Sequence, residues 1–323
     1  MGGSCYQRFS RRPPATLLLA LISCLNSLAQ NPPSRTQSGS GDAVFRTQVD
    51  RVVLYAAVFD RQQRLVTGLP QQAFRVFQDG KLQRLSGFSN QDIPVSMGIA
   101  VDSSASMTEM RAAVNAAALA LVRASNPADE VFLVDFKDTV EMTQDFTNDI
   151  AALERGLSRV RMWGGTAVRD AMRMVVDHLR NGAREKRILV VITDGEDDSS
   201  DIEQQALLRL LQVSDVTVYA IGLLSDVPSD KRKNAQRFLQ EAAKVSGGAA
   251  YFPRTVEEVD LLAHQIAHDI RNQYVLEFPV PAGTKPGTHQ LRVSAVSQTR
   301  GKLTVRTRPG YAYQPSGNGT AVR

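Results

Sequence analysis

Four strand-length runs in the middle of this chain are almost wholly apolar: VSMGIAVD at 95–102, EVFLVDF at 130–136, KRILVVITD at 186–194 and VTVYAIGL at 216–223. A strand with one wet face alternates apolar and polar residues. A strand that is apolar throughout is covered on both faces, which is the habit of parallel sheets. Between and after these runs lie segments with helical periodicity: TEMRAAVNAAALALVRA, DIAALERGLSRV, AVRDAMRMVVDHLR, IEQQALLRLLQVS, KRKNAQRFLQEAAKVSGG and VEEVDLLAHQIAHDIR. The alternation predicts an α/β fold with a doubly wound, mostly parallel sheet and helices on both faces, spanning residues 94–272. Gly247 and Gly248 suit a left-handed cap at the end of the fifth helix.

Both flanks of this core read differently. Residues 44–90 hold β-rich VVLYAAVFD and the stretch AFRVFQDGKLQRLSGFS, which alternates around an Asp79-Gly80 turn. Residues 273–313 return to short strands, QYVLEFPV, HQLRVSAV and KLTVRTRPGY. The expectation is that the two flanks pair into one small β-rich unit beside the core. Residues 314–323 are expected to form a disordered tail.

The first 29 residues read as an export signal: Arg8, Arg11 and Arg12, an apolar run ATLLLALISCL, then small residues up to Ala29. The run is too short for a permanent span. The sequence Leu21-Ile22-Ser23-Cys24 offers a second exit, as a lipoprotein with a lipid on Cys24, so the protein is expected to be exported, periplasmic or extracellular. Residues 30–43 are a polar linker rich in Pro, Gly and Ser. The two cysteines, Cys5 and Cys24, fall inside the leader, which excludes a thiol nucleophile or a thiolate zinc site in the cleaved chain. The formal charge is +5, and the three leader arginines carry part of it, which leaves +2. That excess is too small to predict nucleic-acid binding, and Lys231-Arg232-Lys233 reads as a solvated helix face.

Ligands of doubly wound sheets sit beyond the carboxyl ends of the strands. Two apolar strands end there in aspartate, giving Asp102-Ser103-Ser104-Ala105-Ser106 and Thr193-Asp194-Gly195. Between them in the chain, Gly164-Gly165-Thr166 sets a hydroxyl before a helix, on a backbone free to approach closely. Asp102, Ser104, Ser106, Thr166 and Asp194 together supply two carboxylates and three hydroxyls. Oxygen donors alone select a hard cation, and so few of them suit Mg2+ or Mn2+ ahead of Ca2+. Two aspartates balance a dication, while the neutral hydroxyls leave it electrophilic enough for an outside carboxylate. Read singly, D-x-S-x-S is also a common helix N-cap pattern.

The three segments in this order resemble the metal-ion-dependent adhesion site of von Willebrand factor A domains. The flanks are similar to those of secreted bacterial proteins of the VWFA-related type. The resemblance covers roughly residues 94–272 and implies direct metal contacts from Ser104, Ser106 and Thr166, with Asp102 and Asp194 acting through water or as outer acceptors. It also implies a binding module rather than an enzyme, one that captures an Asp or Glu side chain of a protein or peptide partner. Trp163, just before Gly164-Gly165, and Met107 are expected to form an apolar rim around that contact.

Other candidates are weaker. Asp170 is expected to support the threonine loop. Glu196, Asp197, Asp198 and Asp201 read as a solvated acidic loop rimming the site. His264 and His268 have a zinc-like spacing but no intervening Glu and no third ligand. His178 and His289 stand without a visible partner. Two alternatives stay open. A metal-assisted hydrolase or phosphoryl-transfer enzyme would use the same aspartates, but serine stands where an Asp-x-Asp motif needs its second carboxylate, and no elbow surrounds Ser104 or Ser106. A metal-free structural component of an envelope assembly would use the β flanks.

Overall fold

The computed structural model describes residues 50–159, 162–225 and 227–315. The leader with Cys5 and Cys24, the linker at 30–43 and the tail from residue 316 lie outside the described residues. In chain order the strands are β1 (Arg51–Phe59), β2 (Phe74–Gln78), β3 (Lys81–Gln83), β4 (Gly87–Ser89), β5 (Val95–Asp102), β6 (Glu130–Phe136), β7 (Val140–Thr147), β8 (Lys186–Thr193), β9 (Val216–Gly222), β10 (Ala249–Tyr251), β11 (Tyr274–Pro279), β12 (Gly287–Ser297), β13 (Gly301–Lys302), β14 (Thr304–Arg306) and β15 (Gly310–Tyr313). The helices are α1 (Arg111–Ala124), α2 (Ile150–Ser158), α3 (Val168–His178), α4 (Gln204–Val213), α5 (Ser229–Ser246) and α6 (Val256–Arg271).

The core is a six-stranded sheet in the order β10-β9-β8-β5-β6-β7. Every pairing is parallel except that of β7 with β6. All residues of β5 and β9 are buried, as the continuous apolar runs require. Side chains alternate between two apolar clusters. Met97, Ile99 and Val101 of β5 join α1, α2 and α6 on one face, while Phe132 and Val134 of β6 join α3, α4 and α5 on the other. Helix boundaries follow local chemistry. Asp149 accepts from the Ala151 amide at 2.9 Å and caps α2, and Gly247 closes α5 at φ 84°, a conformation that suits glycine.

The flanks do pair with each other. β1 runs antiparallel to β11, from Arg51 opposite Pro279 to Ala56 opposite Tyr274, in a sheet ordered β14-β1-β11-β4. A second sheet is ordered β13-β12-β2-β3, with β15 also paired to β12. Val52 and Leu54 from β1, Phe74 and Val76 from β2, and Tyr274 and Leu276 from β11 share one apolar cluster between the two sheets. Asp79 (φ 49°) and Gly80 (φ 79°) close the β2–β3 hairpin, the double left-handed turn favoured by Asp-Gly. No helix among the described residues is long and apolar enough to cross a membrane.

Candidate metal centre

Parallel strands point their carboxyl ends the same way, so Asp102 at the end of β5 and Asp194 just past β8 meet at one end of the sheet. The loop after β5 folds back at once. The Ser104 amide donates to Asp102 Oδ1 at 2.9 Å, and residues Ala105–Met107 form a short 3-10 turn before α1. Asp102 Oδ2 accepts from the Thr193 hydroxyl at 2.6 Å, and Thr193 in turn accepts from the Gly195 amide at 2.9 Å. The Ser106 hydroxyl donates to Asp194 Oδ2 at 2.5 Å and lies 3.1 Å from Ser104 Oγ. Asp102, Ser104, Ser106 and Asp194 therefore form one hydrogen-bonded cluster.

Thr166 reaches the cluster through its loop. The Ala105 amide donates to the Gly164 carbonyl at 3.3 Å, and the Trp163 amide donates to the Ser103 carbonyl at 3.1 Å. From the other side, the Thr166 amide donates to Asp198 Oδ1 at 2.8 Å, and its carbonyl accepts from the amides of Asp198 and Ser199, each at 3.1 Å. A side chain at Gly165 would place its Cβ 2.6 Å from Asp198 Oδ1, so a glycine is what lets that carboxylate come so close. Asp102, Ser104, Thr166 and Asp194 are all buried.

The electrostatics are unbalanced. Burial, then the nearby charge of Asp194, pushes the Asp102 carboxyl up to about 7, and burial also raises Asp194. Neither forms an ion pair with a lysine, arginine or histidine among the described residues. Two desolvated carboxylates and three hydroxyls without a cationic side chain make a donor set that fits a hard divalent cation. The described residues contain no metal-ready group of three His, Cys, Asp or Glu side chains, so hydroxyls distinguish this candidate from a carboxylate or imidazole cage.

Several expectations change in detail. Met107 is 1% exposed and belongs to the core, so it is no part of a rim. Trp163 is 53% exposed, with the buried Lys137 ammonium 5.4 Å from its ring centroid. The acidic loop is tied down rather than merely solvated: Asp198 holds Thr166, and Asp197 pairs with Arg169 at 3.0 Å and accepts from its amide at 2.9 Å. Asp170 supports that acidic loop, accepting from the amides of Asp201 and Ile202, and not the threonine loop. His178 has a partner in Asp145 at 2.8 Å, and His289 in Asp79 at 2.7 Å. His264 and His268 are exposed on α6. Sequence reasoning also missed the buried Asp135–Lys137 pair beneath Trp163, at 3.5 Å. The alternation of Asp135 and Lys137 about Phe136 at a strand end was the available signal.

An α/β domain with oxygen donors gathered at the carboxyl end of its central strands defines a class of site-bearing sheet proteins. Residues 97–196 match the von Willebrand factor type A domain family, which places this stretch of the chain in that class of sheet domain. An uncharacterized protein of Borreliella burgdorferi is 22% identical over 157 residues, covering 47% of this chain and 45% of that one, so the match spans less than half of the relative. Among solved structures, an aerotolerance-related membrane protein from Bacteroides fragilis is 21% identical, with TM-score 0.44, over 55% of this chain and 98% of its own. A von Willebrand factor type A protein from Catenulispora acidiphila is 13% identical, with TM-score 0.45, over 84% and 76% of the two chains. Both are distant likenesses.

Proposed function

We propose that Ser104, Ser106 and Thr166 hold a divalent cation of the Mg2+ class, with Asp102 and Asp194 orienting them, and that the domain thereby captures an acidic side chain of a protein partner. Domains of this family act in general as protein-interaction modules. The observation that carries the reading is the cluster itself: two buried carboxylates and two serine hydroxyls in one hydrogen-bonded group, without a basic side chain to balance them.

Each residue has a task. Asp102 spends both oxygens on chain donors, the Ser104 amide and the Thr193 hydroxyl, and so fixes the loop. Ser106 donates its one hydrogen bond to Asp194 and so accepts from Ser104, which leaves one lone pair of its oxygen for a cation. Asp198 holds the Thr166 backbone from behind. When bound, the cation supplies an electrophilic position that a partner's Asp or Glu can take. One charge contact is weak in water, so the surface around it must match the partner, and exposed Trp163 beside Gly164 provides apolar area there. The leader at 1–29 supports export, with a lipid on Cys24 as the alternative route to the membrane.

The test is calorimetric titration of Mg2+ and Mn2+ into chelator-stripped protein, followed by affinity capture from the cell envelope with and without EDTA. Uptake of one ion, lost in Asp102→Ala and Thr166→Ala variants that keep the far-UV circular dichroism of the parent, is the expected result. Capture that survives EDTA sinks the metal-dependent reading. Turnover of phosphoesters or peptides by the Mg2+-loaded protein would replace it with an enzyme.

A further inference from the structure

The seam between β1 and the base of the core sheet forms a separate, half-open cavity of about 220 Å3. It lies at the far end of the strands from the metal centre. Arg187, the second residue of β8, lines the cavity, whereas Asp194 follows the strand's end, seven residues and about 23 Å away. On β1, Val52 and Leu54 face the flank's own core, and the alternate residues Arg51, Val53 and Tyr55 face the cavity. The Tyr55 ring is held by the buried Lys186 ammonium, 5.3 Å from its centroid.

Three guanidinium groups and two carboxylates line this space, and Glu277 supplies a third carboxylate against Arg51. Two of the arginines are balanced. Arg51 donates to Glu185 at 3.1 Å and to Glu277 at 3.0 Å, and Arg187 pairs with Asp215 and with the Leu179 carbonyl. Arg308 is different. It donates to the Ser214 carbonyl, and no carboxylate among the described residues forms an ion pair with it. Burial pushes its guanidinium below the usual range, and the charge of Asp215 only partly offsets that. A cation left without a partner in a partly buried cavity favours an anion, and a guanidinium fork fits a carboxylate best in its plane.

We propose that this cavity binds a small zwitterion of free amino-acid size, its carboxylate on Arg308 and its ammonium toward Asp215 and Glu185. The mixed lining selects against the other small anions. A dianion such as phosphate would meet the carboxylates of Asp215 and Glu185, whereas an ammonium would be drawn to them. The volume equals that of about seven waters in the liquid, enough for an amino acid and below the range of about 300 Å3 where drug-sized pockets begin. The site is independent of the metal centre.

The experiment is calorimetry and thermal-shift measurement on the full chain in EDTA, with the standard amino acids tested singly and inorganic phosphate as the competing anion. For the amino acid that binds best, its N-acetyl derivative removes the ammonium and its amide removes the carboxylate. Each blocked form is expected to bind at least about tenfold more weakly, the weight of one charge-assisted hydrogen bond. Arg308→Gln is expected to weaken the parent amino acid by a similar factor. Because Arg308 also holds the Ser214 carbonyl, Asp215→Asn at a half-exposed position provides a second variant, expected to erase the preference for the free amine over its N-acetyl form. The proposal is overturned if no amino acid binds, if phosphate binds more tightly than every amino acid, or if a folded Arg308→Gln or Asp215→Asn variant binds as the parent does. Binding that persists in EDTA while Mg2+ uptake is lost separates this site from the metal-dependent one.

Discussion

The central sheet and the flanking β unit bury their strands in opposite ways. Every residue of β5 and β9 is buried, whereas β12 alternates between exposed and covered positions along most of its length. A strand covered on both faces has no register to trade, because a slip would drive the whole row into the wrong neighbours. That rigidity is what holds Asp102 and Asp194 at a fixed spacing. The flank, with one wet face per sheet, can carry arginines and carboxylates on its outer side, and it does so at the cavity beneath the core. The difference therefore separates a part of the chain that fixes a site from a part that decorates a surface.

The sharpest way to break this contrast is to remove matched aromatic rings. Phe132 in β6 is fully buried, with ring centroids 4.8 Å from Phe146 and 4.6 Å from His178. Phe88 in β4 is only partly buried, against Phe74 and Tyr274. Phe132→Ala is expected to cost about 3–5 kcal/mol, and Phe88→Ala less than about half of that, since part of its ring already meets water. Urea midpoints at constant slope measure both. Equal losses would mean that the flank is packed as tightly as the core and that the contrast is one of pattern alone.

A second substitution tests how the two regions are joined. Arg306 of β14 pairs with Asp269 of α6, which also accepts from the Tyr219 hydroxyl at 3.1 Å. Asp269 is 4% exposed, and its Oδ1 has no hydrogen-bond partner. Arg306→Met leaves that carboxylate buried without an ion-pair partner, with only the more distant charge of Lys186 to offset it. The expected loss is about 2–3 kcal/mol, below the usual figure for a broken buried pair because Arg306 is partly exposed. Adding Asp269→Asn should restore part of it, as a double-mutant cycle in denaturant would read. If the flank instead melts in a transition of its own, the pair is what makes core and flank one cooperative unit.

The same contrast explains what could be read from the sequence. The buried strands β5, β8 and β9 announce themselves because no polar face interrupts them, and the aspartates at the ends of β5 and β8 stand out against that background. β7 did not. Its residues, Val140–Thr147, mix Glu, Thr, Gln and Asp, are only partly covered, and pair with β6 through a register irregularity, so no period of two survives. The β2–β3 turn was legible from Asp79-Gly80 alone. At the site, the hydroxyls and carboxylates could be named, but the carboxylate that pins Thr166 could not. Asp198 sits among Glu196, Asp197 and Asp201, and composition cannot say which member of an acidic run turns inward. Met107 failed for a related reason: a methionine after a loop reads equally as rim or core, and packing against the core decided it.

The smallest expected effect belongs to the flank and is set by pH. His289 on β12 contacts Asp79 Oδ2 through Nδ1 at 2.7 Å and the Lys285 carbonyl through Nε2 at 2.9 Å. Both contacts favour the imidazolium, the Asp79 bond most, so the His289 pKa is raised above 6.5, and Asp79 is lowered chiefly by the same bond. For the histidine, the stabilisation is complete below the unfolded value and fades as pH rises through the raised folded one. For the aspartate, it is present above about 3.8 and fades as pH falls through the lowered one. The pair should thus strengthen the β2–β12 pairing most between about pH 4 and 6.5, by less than about 1 kcal/mol given its exposure to solvent. His289→Gln should flatten this part of the stability profile while leaving the core's profile unchanged. Hydrogen exchange of the Gln290 amide, which donates to Asp79 Oδ1 at 2.9 Å, reports the flank alone. An exchange rate that ignores pH across this window in the parent, after correction for intrinsic chemistry, would show that the flank draws its stability from its apolar cluster as the core does, and the electrostatic half of the contrast would fall.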